Sequence, residues 1–261
     1  MNIIRILLLV LLPVALTACG AGKPSGEGNN NTPVSGTKGD LTIGTEGTYA
    51  PFTFHDESGA LTGFDVELAT EVSRRIGRTP RFVETKWDGM IAGLDAKRYD
   101  MVANEVAVRP DRLEKYDMSD PYIVSRAVLV VASDNQTIKS LDDLKGKKVG
   151  QSLDSNYRKI AEEHGAKNTV VEGFNQAIDL IVSGRIDATI NDSLSYLDLK
   201  KQRPDLAVKT VYEEPDATSN AFLLRKGDDL VEQVNQALKD MHDDGAYLKI
   251  SQKWFNTDVS K

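Results

Sequence analysis

The residues that could do chemistry in this chain are one cysteine, three histidines and a surplus of carboxylates. A solitary Cys19 excludes an internal disulfide, a thiolate zinc cluster and a CxxC redox pair. His55, His164 and His242 lie far apart in sequence and show no HExxH or other ligand spacing, so they read as surface or turn residues, and no metal or cofactor is expected. There is no GxSxG nucleophile elbow. Gly20-Ala21-Gly22-Lys23 lacks the rest of the Walker spacing and follows no strand, which removes a phosphate loop. The formal charge of −7 argues against nucleic acid or an anionic membrane surface, because phosphate binding needs clustered Lys and Arg. What remains is a set of charged and aromatic residues suited to holding a small zwitterion.

The elements that must position such residues follow from pattern. With 261 residues, 40% hydrophobic and 27% charged, the chain can hold one large domain or two modest ones. Beyond Asp40 short β-rich runs alternate with helical patterns, which predicts an α/β architecture. Strands are expected at Leu41 to Gly44, Phe52 to Phe54, Arg81 to Val83 and Met101 to Ala103. The intervening helices are expected at Asp65 to Ile76, closed by Gly77 in the left-handed conformation, and at Gly89 to Lys97. Ala127 to Ala132 opens a second series, with strands at Lys148 to Gly150, Thr169 to Val171 and Asp187 to Ile190. Its helices are read at Ser155 to His164, Gln176 to Val182 and Leu194 to Lys201. A last strand near Ala221 to Leu224 leads to helices at Asp229 to Met241 and Ala246 to Phe255.

The first residues read as targeting, not as fold. Arg5 precedes an apolar run from Ile6 to Ala18, longer than a minimal signal core and short of the ~20 residues of a spanning helix. The run closes on Leu16-Thr17-Ala18-Cys19-Gly20, which resembles the lipobox of bacterial lipoproteins. The resemblance implies a signal peptide over 1–18, cleavage before Cys19, and a palmitate-type lipid anchor on its sulfur. Residues 19–39, rich in Gly, Asn and Ser, then form a tether with a reach of about 25 Å. The body is thus expected outside the cytoplasm, held to a membrane through Cys19.

The rest of the text resembles a known family. Gly44-Thr45-Glu46-Gly47-Thr48-Tyr49-Ala50-Pro51-Phe52, Gly63-Phe64-Asp65, Lys86-Trp87-Asp88-Gly89-Met90, Asp111-Arg112, Ser119-Asp120-Pro121-Tyr122, Arg185-Ile186-Asp187-Ala188 and Lys253-Trp254-Phe255 occur in order. Together they resemble the polar amino-acid-binding proteins of ABC importers, most closely the cystine-binding branch. The family fold implies two α/β lobes of the periplasmic-binding-protein type, joined by two hinge crossings with ligand between them. Lobe 1 would take residues 40–125 plus 221–261, and lobe 2 residues 126–220.

The resemblance also assigns roles. Arg112 would take the ligand α-carboxylate, helped by Ser155 at a helix N-terminus and its neighbour Asn156. Asp192 would take the α-ammonium, and Tyr49 and Trp87 would enclose the side-chain stem. Glu46 and Glu105 are placed near the distal end of the cleft, where a second ammonium would answer the excess of acid. Two departures stand out: Ala107 lies where the family commonly has a hydroxyl, and Asp154 lies beside the anion site, from which it is expected to face away.

The implied function is a non-enzymatic, monomeric receptor that hands cystine to an ABC permease. Alternatives are a cationic or other polar amino acid as ligand, and, distantly, a cyclohexadienyl dehydratase-like enzyme using a cleft acid.

Overall fold

The computed structural model describes residues 39–261; the expected leader (1–18), Cys19 and the tether up to residue 38 lie outside the described residues. The first strands are β1 (Asp40–Thr45), β2 (Thr48–Tyr49), β3 (Thr53–His55), β4 (Leu61–Thr62), β5 (Thr79–Glu84), β6 (Met101–Ala107), β7 (Tyr116–Met118) and β8 (Ile123–Ser125). Between them run helices α1 (Phe64–Arg75), α2 (Trp87–Asp95) and α3 (Pro110–Leu113). Then follow β9 (Ala127–Ala132), β10 (Lys148–Gln151), α4 (Asn156–Glu163), β11 (Lys167–Val170), α5 (Phe174–Val182), β12 (Ala188–Asp192), α6 (Ser193–Gln202) and β13 (Val208–Glu213). The chain ends on β14 (Thr218–Arg225), α7 (Leu230–Asp243) and α8 (Ala246–Phe255).

Two mixed sheets organise these elements, giving the two-lobed α/β fold. The first runs β5-β1-β6-β14-β7, with β8 also on β14; the second runs β11-β10-β12-β9-β13. β1 is parallel to β5 and β6, and β10 to β11 and β12, so helices must carry the chain back across the faces. The chain leaves the first sheet after β8 and returns to it through β14, so it crosses between the sheets twice. A small third sheet, β2-β3-β4, follows β1.

Both faces of each main sheet are covered, and the strands show it residue by residue. In β6, Met101 and Ala103 join the core beneath α1, α7 and α8, whereas Val102 and Val106 face the opposite core with Met90, Leu94 and Tyr99. In β9, Ala127, Leu129 and Val131 face one core and Val128 and Val130 the other. A strand covered on both sides reads as an unbroken apolar run, and Ala127 to Ala132 is one. β6 departs from that rule: all seven residues are buried, yet two of them are Asn104 and Glu105.

Local signals hold the frame. α1 carries Asp65 and Glu67 in its first turn and Arg74 and Arg75 in its last, opposing the helix dipole at each end. Gly77, at φ +73°, turns the chain out of that helix, and its N–H donates to the Arg74 carbonyl at 3.1 Å. At Gly44 a side chain is sterically forbidden, since a Cβ would stand 2.6 Å from the Tyr99 ring.

Candidate functional site

A pocket opens between the two main sheets, lined by residues of both. Its walls are the carboxyl ends of β1, β6, β10 and β12 and the first residues of α2 and α4. This is where ligands sit in parallel α/β sheets, because strand ends leave a crevice and helix N-termini point their N–H groups into it. Glu46, Tyr49, Trp87, Glu105, Ala107, Arg112, Ser155 and Asn156 all line it. Residues of the two halves also meet around its rim: Ser195 Oγ donates to the Ala50 carbonyl at 2.8 Å, Lys159 Nζ lies 3.0 Å from Asp111, and Lys86 pairs with Glu172.

At one end stands Arg112. The residue is 4% exposed, and its guanidinium donates to the Ala107 carbonyl at 2.9 Å and lies 5.5 Å from the centre of the Trp87 ring. Among the described residues no carboxylate comes within 4.0 Å of it. Burial, with Arg109 nearby, pulls its pKa down to about 10, so it stays charged at neutral pH. A buried cation held only by neutral groups retains donors for an incoming anion. Ser155 caps α4, its Oγ accepting from the Tyr157 N–H at 3.1 Å, and this leaves the hydroxyl proton free to face the pocket. Asp154 is exposed and is not part of the lining.

The acids have other partners: Glu105 sits beside Asp192, and Glu46 bonds to Asn104 in the same lining. The Glu105 backbone has φ +50°, a left-handed conformation unusual for a side-chain-bearing residue. That conformation accompanies an N–H bond to Asp65 Oδ2 at 2.6 Å and a carboxyl directed toward Asn220 Nδ2 at 2.8 Å and the Tyr49 hydroxyl at 3.2 Å. Asp192 is fully buried beneath the lining, where it caps α6 through the Leu194 N–H at 2.8 Å and accepts from Ser125 Oγ. Burial, and for Glu105 also the charges of Asp192 and Asp65, push both carboxyls up, Glu105 well above the usual range.

Glu46 stands apart. Its Oε2 accepts from Asn104 Nδ2 and its N–H donates to Asn104 Oδ1, both at 2.8 Å. Burial raises its pKa to about 7, offset in part by Asn104 and the Trp87 N–H. Several lining residues escaped the sequence reading, notably Asn104, Gln151, Thr189 and Asn191. Asn191 bonds the Tyr49 hydroxyl at 3.1 Å and so ties one half of the molecule to the other.

Bacterial extracellular solute-binding proteins, family 3, match residues 41–257. The chain belongs to this family. As a family 3 solute-binding protein it is 49% identical over 262 residues to the L-cystine-binding protein TcyA of Bacillus subtilis, covering 98% of this chain and 97% of that one. It is 43% identical to the L-cystine solute receptor of Neisseria gonorrhoeae in its unliganded open conformation, covering 86% and 96%, with a TM-score of 0.58. To an ancestral arginine-binding protein bound to arginine it is 38% identical, covering 84% and 99%, with a TM-score of 0.79. Sequence ranks those two structures one way and shape the other. Among the described residues no helix is long and apolar enough to cross a membrane.

Proposed function

We infer that this protein is the extracytoplasmic receptor of an amino-acid ABC importer, closing two lobes around L-cystine and presenting it to the permease. The observation that carries the reading is the separation of charge within one pocket: an anion-seeking Arg112 at one end, and Glu105 above Asp192 at another. An α-amino acid bears the complementary pair, a carboxylate and an ammonium. Glu46, with a carboxyl poised near neutrality, suits a further cation, and the second amino-acid head of cystine supplies one. The likeness to L-cystine-binding proteins supports cystine as first choice. The same acid and the likeness to an arginine-bound structure favour a cationic amino acid as the second.

In this reading Arg112, Ser155 and Asn156 hold the carboxylate, with Ala107 contributing only backbone and packing. Asp192 and Glu105 receive the ammonium, and Tyr49 and Trp87 cover the stem. Residues 40–125 with 218–261 move as one lobe and 126–217 as the other; the second crossing falls before 218 and not at 221, because β14 pairs with β8 and β6 from Thr218 onward. Cys19 anchors a monomer to the membrane through the tether.

Thermal shift against a panel of amino acids tests the reading. A ligand at 100 times its Kd adds about 2.7 kcal/mol of stability. A clear shift with L-cystine is expected. A shift with arginine or lysine and none with cystine would transfer the assignment to the second choice, and no shift with any amino acid would sink both.

A further inference from the structure

Glu105 is held against a second acid with no cation of its own. Its Oε1 accepts from Asn220 Nδ2 at 2.8 Å, and its Oε2 lies 3.2 Å from the Tyr49 hydroxyl. The Ser125 hydroxyl stands between Asp192 Oδ2, which it bonds closely, and Glu105 Oε1 at 3.4 Å, and its single hydrogen serves only one of them. The two carboxyls themselves come within hydrogen-bond reach of each other, a contact that needs a proton on one of them.

The surroundings favour a neutral Glu105. Facing Glu105 are Asp65 from α1, Asp192 from the end of β12, and the phenols of Tyr49, Tyr122 and Tyr157. Among the described residues no Lys, Arg or His lies within 4.0 Å of Asp65, Glu105 or Asp192. Asp65 Oδ1 is itself buried with no hydrogen-bond partner. Glu105 is 7% exposed and borders the pocket, so a ligand group can reach it.

We propose that Glu105 carries a proton in the ligand-free protein and surrenders it to solvent when a ligand ammonium arrives, so that capture of the amino acid releases a proton. The exchange balances. The ligand enters as –NH₃⁺ with its hydrogens, the Glu105 O–H bond breaks to leave a carboxylate, and one H⁺ departs to water. The ammonium supplies to Glu105 and Asp192 the donors that the proton had supplied. Because protonated Glu105 competes with the ligand, affinity rises with pH by up to tenfold per unit between the bound and free pKa values of this carboxyl. This inference rests on the amino-acid-binding reading, and its first half can be measured without a ligand.

In the ligand-free protein at pH 7, infrared spectra of wild type and Glu105→Gln are compared for a protonated-carboxyl C=O band. A band lost in the variant is expected. A wild-type spectrum in which no such band depends on Glu105 overturns the proposal, whatever the ligand. Titration calorimetry with L-cystine and with L-arginine, in buffers of different ionisation enthalpy between pH 6 and pH 7.5, then counts protons. With L-cystine and L-arginine alike, release is expected from wild type and a release smaller by close to one proton per ligand from Glu105→Gln, any remainder being assigned to Glu46. Binding without release, or release kept in full by Glu105→Gln, overturns the proposal while leaving the receptor function intact. Absence of binding by every amino acid defeats the functional reading instead, and the infrared result still decides where the proton is.

Discussion

The two ends of the pocket bury charge by opposite means. At one end Arg112 keeps a single cation among neutral partners, the Ala107 carbonyl and the face of Trp87. At the other, Asp65, Glu105 and Asp192 gather three carboxyls around shared hydroxyls and amides. A guanidinium titrating near 10 does not shed its charge at neutral pH, so the cationic end is permanent. Carboxyls pushed upward by burial can take protons, so the acidic end is adjustable. On the proposed reading, a zwitterion would meet one fixed partner and one that responds to its arrival.

The strongest way to break this contrast is to remove its fixed member. Arg112→Ala is expected to weaken amino-acid binding by roughly 2–5 kcal/mol, the range for losing one partner of a buried charge pair. Calorimetry with L-cystine that finds unchanged affinity would take Arg112 out of the site. Asp192→Asn retains an oxygen to cap α6 and removes the charge, so binding is expected to fall by about 1.5–3 kcal/mol with little loss of stability. Equal losses of affinity and stability would mean that the residue acts only as a cap.

A pH series sharpens the adjustable end. Glu46 and Asp65 are both raised to about 7, chiefly by burial. Raised carboxyls bind protons more tightly when folded. The stability they contribute is complete below their unfolded values near 4 and is lost as pH rises through about 7, by no more than about 1.4 kcal/mol per unit for each group. Melting of the ligand-free protein should therefore fall between pH 5 and pH 8, and Glu46→Gln should flatten part of the slope. A melting temperature that climbs over that interval contradicts the assignment. The smallest effect is expected at Asp154, exposed and outside the lining: Asp154→Asn should change stability by less than about 0.5 kcal/mol, and affinity less than about threefold. A larger gain in affinity would place its charge inside the carboxylate end.

Much of the frame was legible in the sequence. α1, α7 and α8 fall within one or two residues of their expected limits, because apolar positions at helical spacing and a left-handed Gly77 are local signals. Ala127 to Ala132 matches β9 at both ends, since a strand buried on two faces needs no alternation. β6 was legible only to Ala103. Asn104-Glu105 resembles a turn in text, and becomes strand only because Glu46, Asn220 and Tyr49 satisfy both side chains from elsewhere. β13 also escaped, its Lys209, Thr210 and Glu213 breaking any apolar run at the sheet edge. The site divides along the same line. Arg112 and Trp87 stand in recognisable motifs, whereas Asn104, Gln151 and Asn191 are polar residues inside strands, whose purpose emerges only where strand ends from two sheets meet.

Glu105 is bonded to Ser125, at the end of the strand by which the chain leaves the first sheet, and to Asn220, in the strand by which it returns. If Glu105 receives the ligand as proposed, ligand chemistry and joint mechanics share atoms. A lineage that swaps this acid for another residue to change its nutrient alters the articulation in the same step, and one that loosens either crossing disturbs its diet. Inheritance at 105, 125 and 220 should run in concert, and a library that varies these three positions together will find working receptors that single replacements miss.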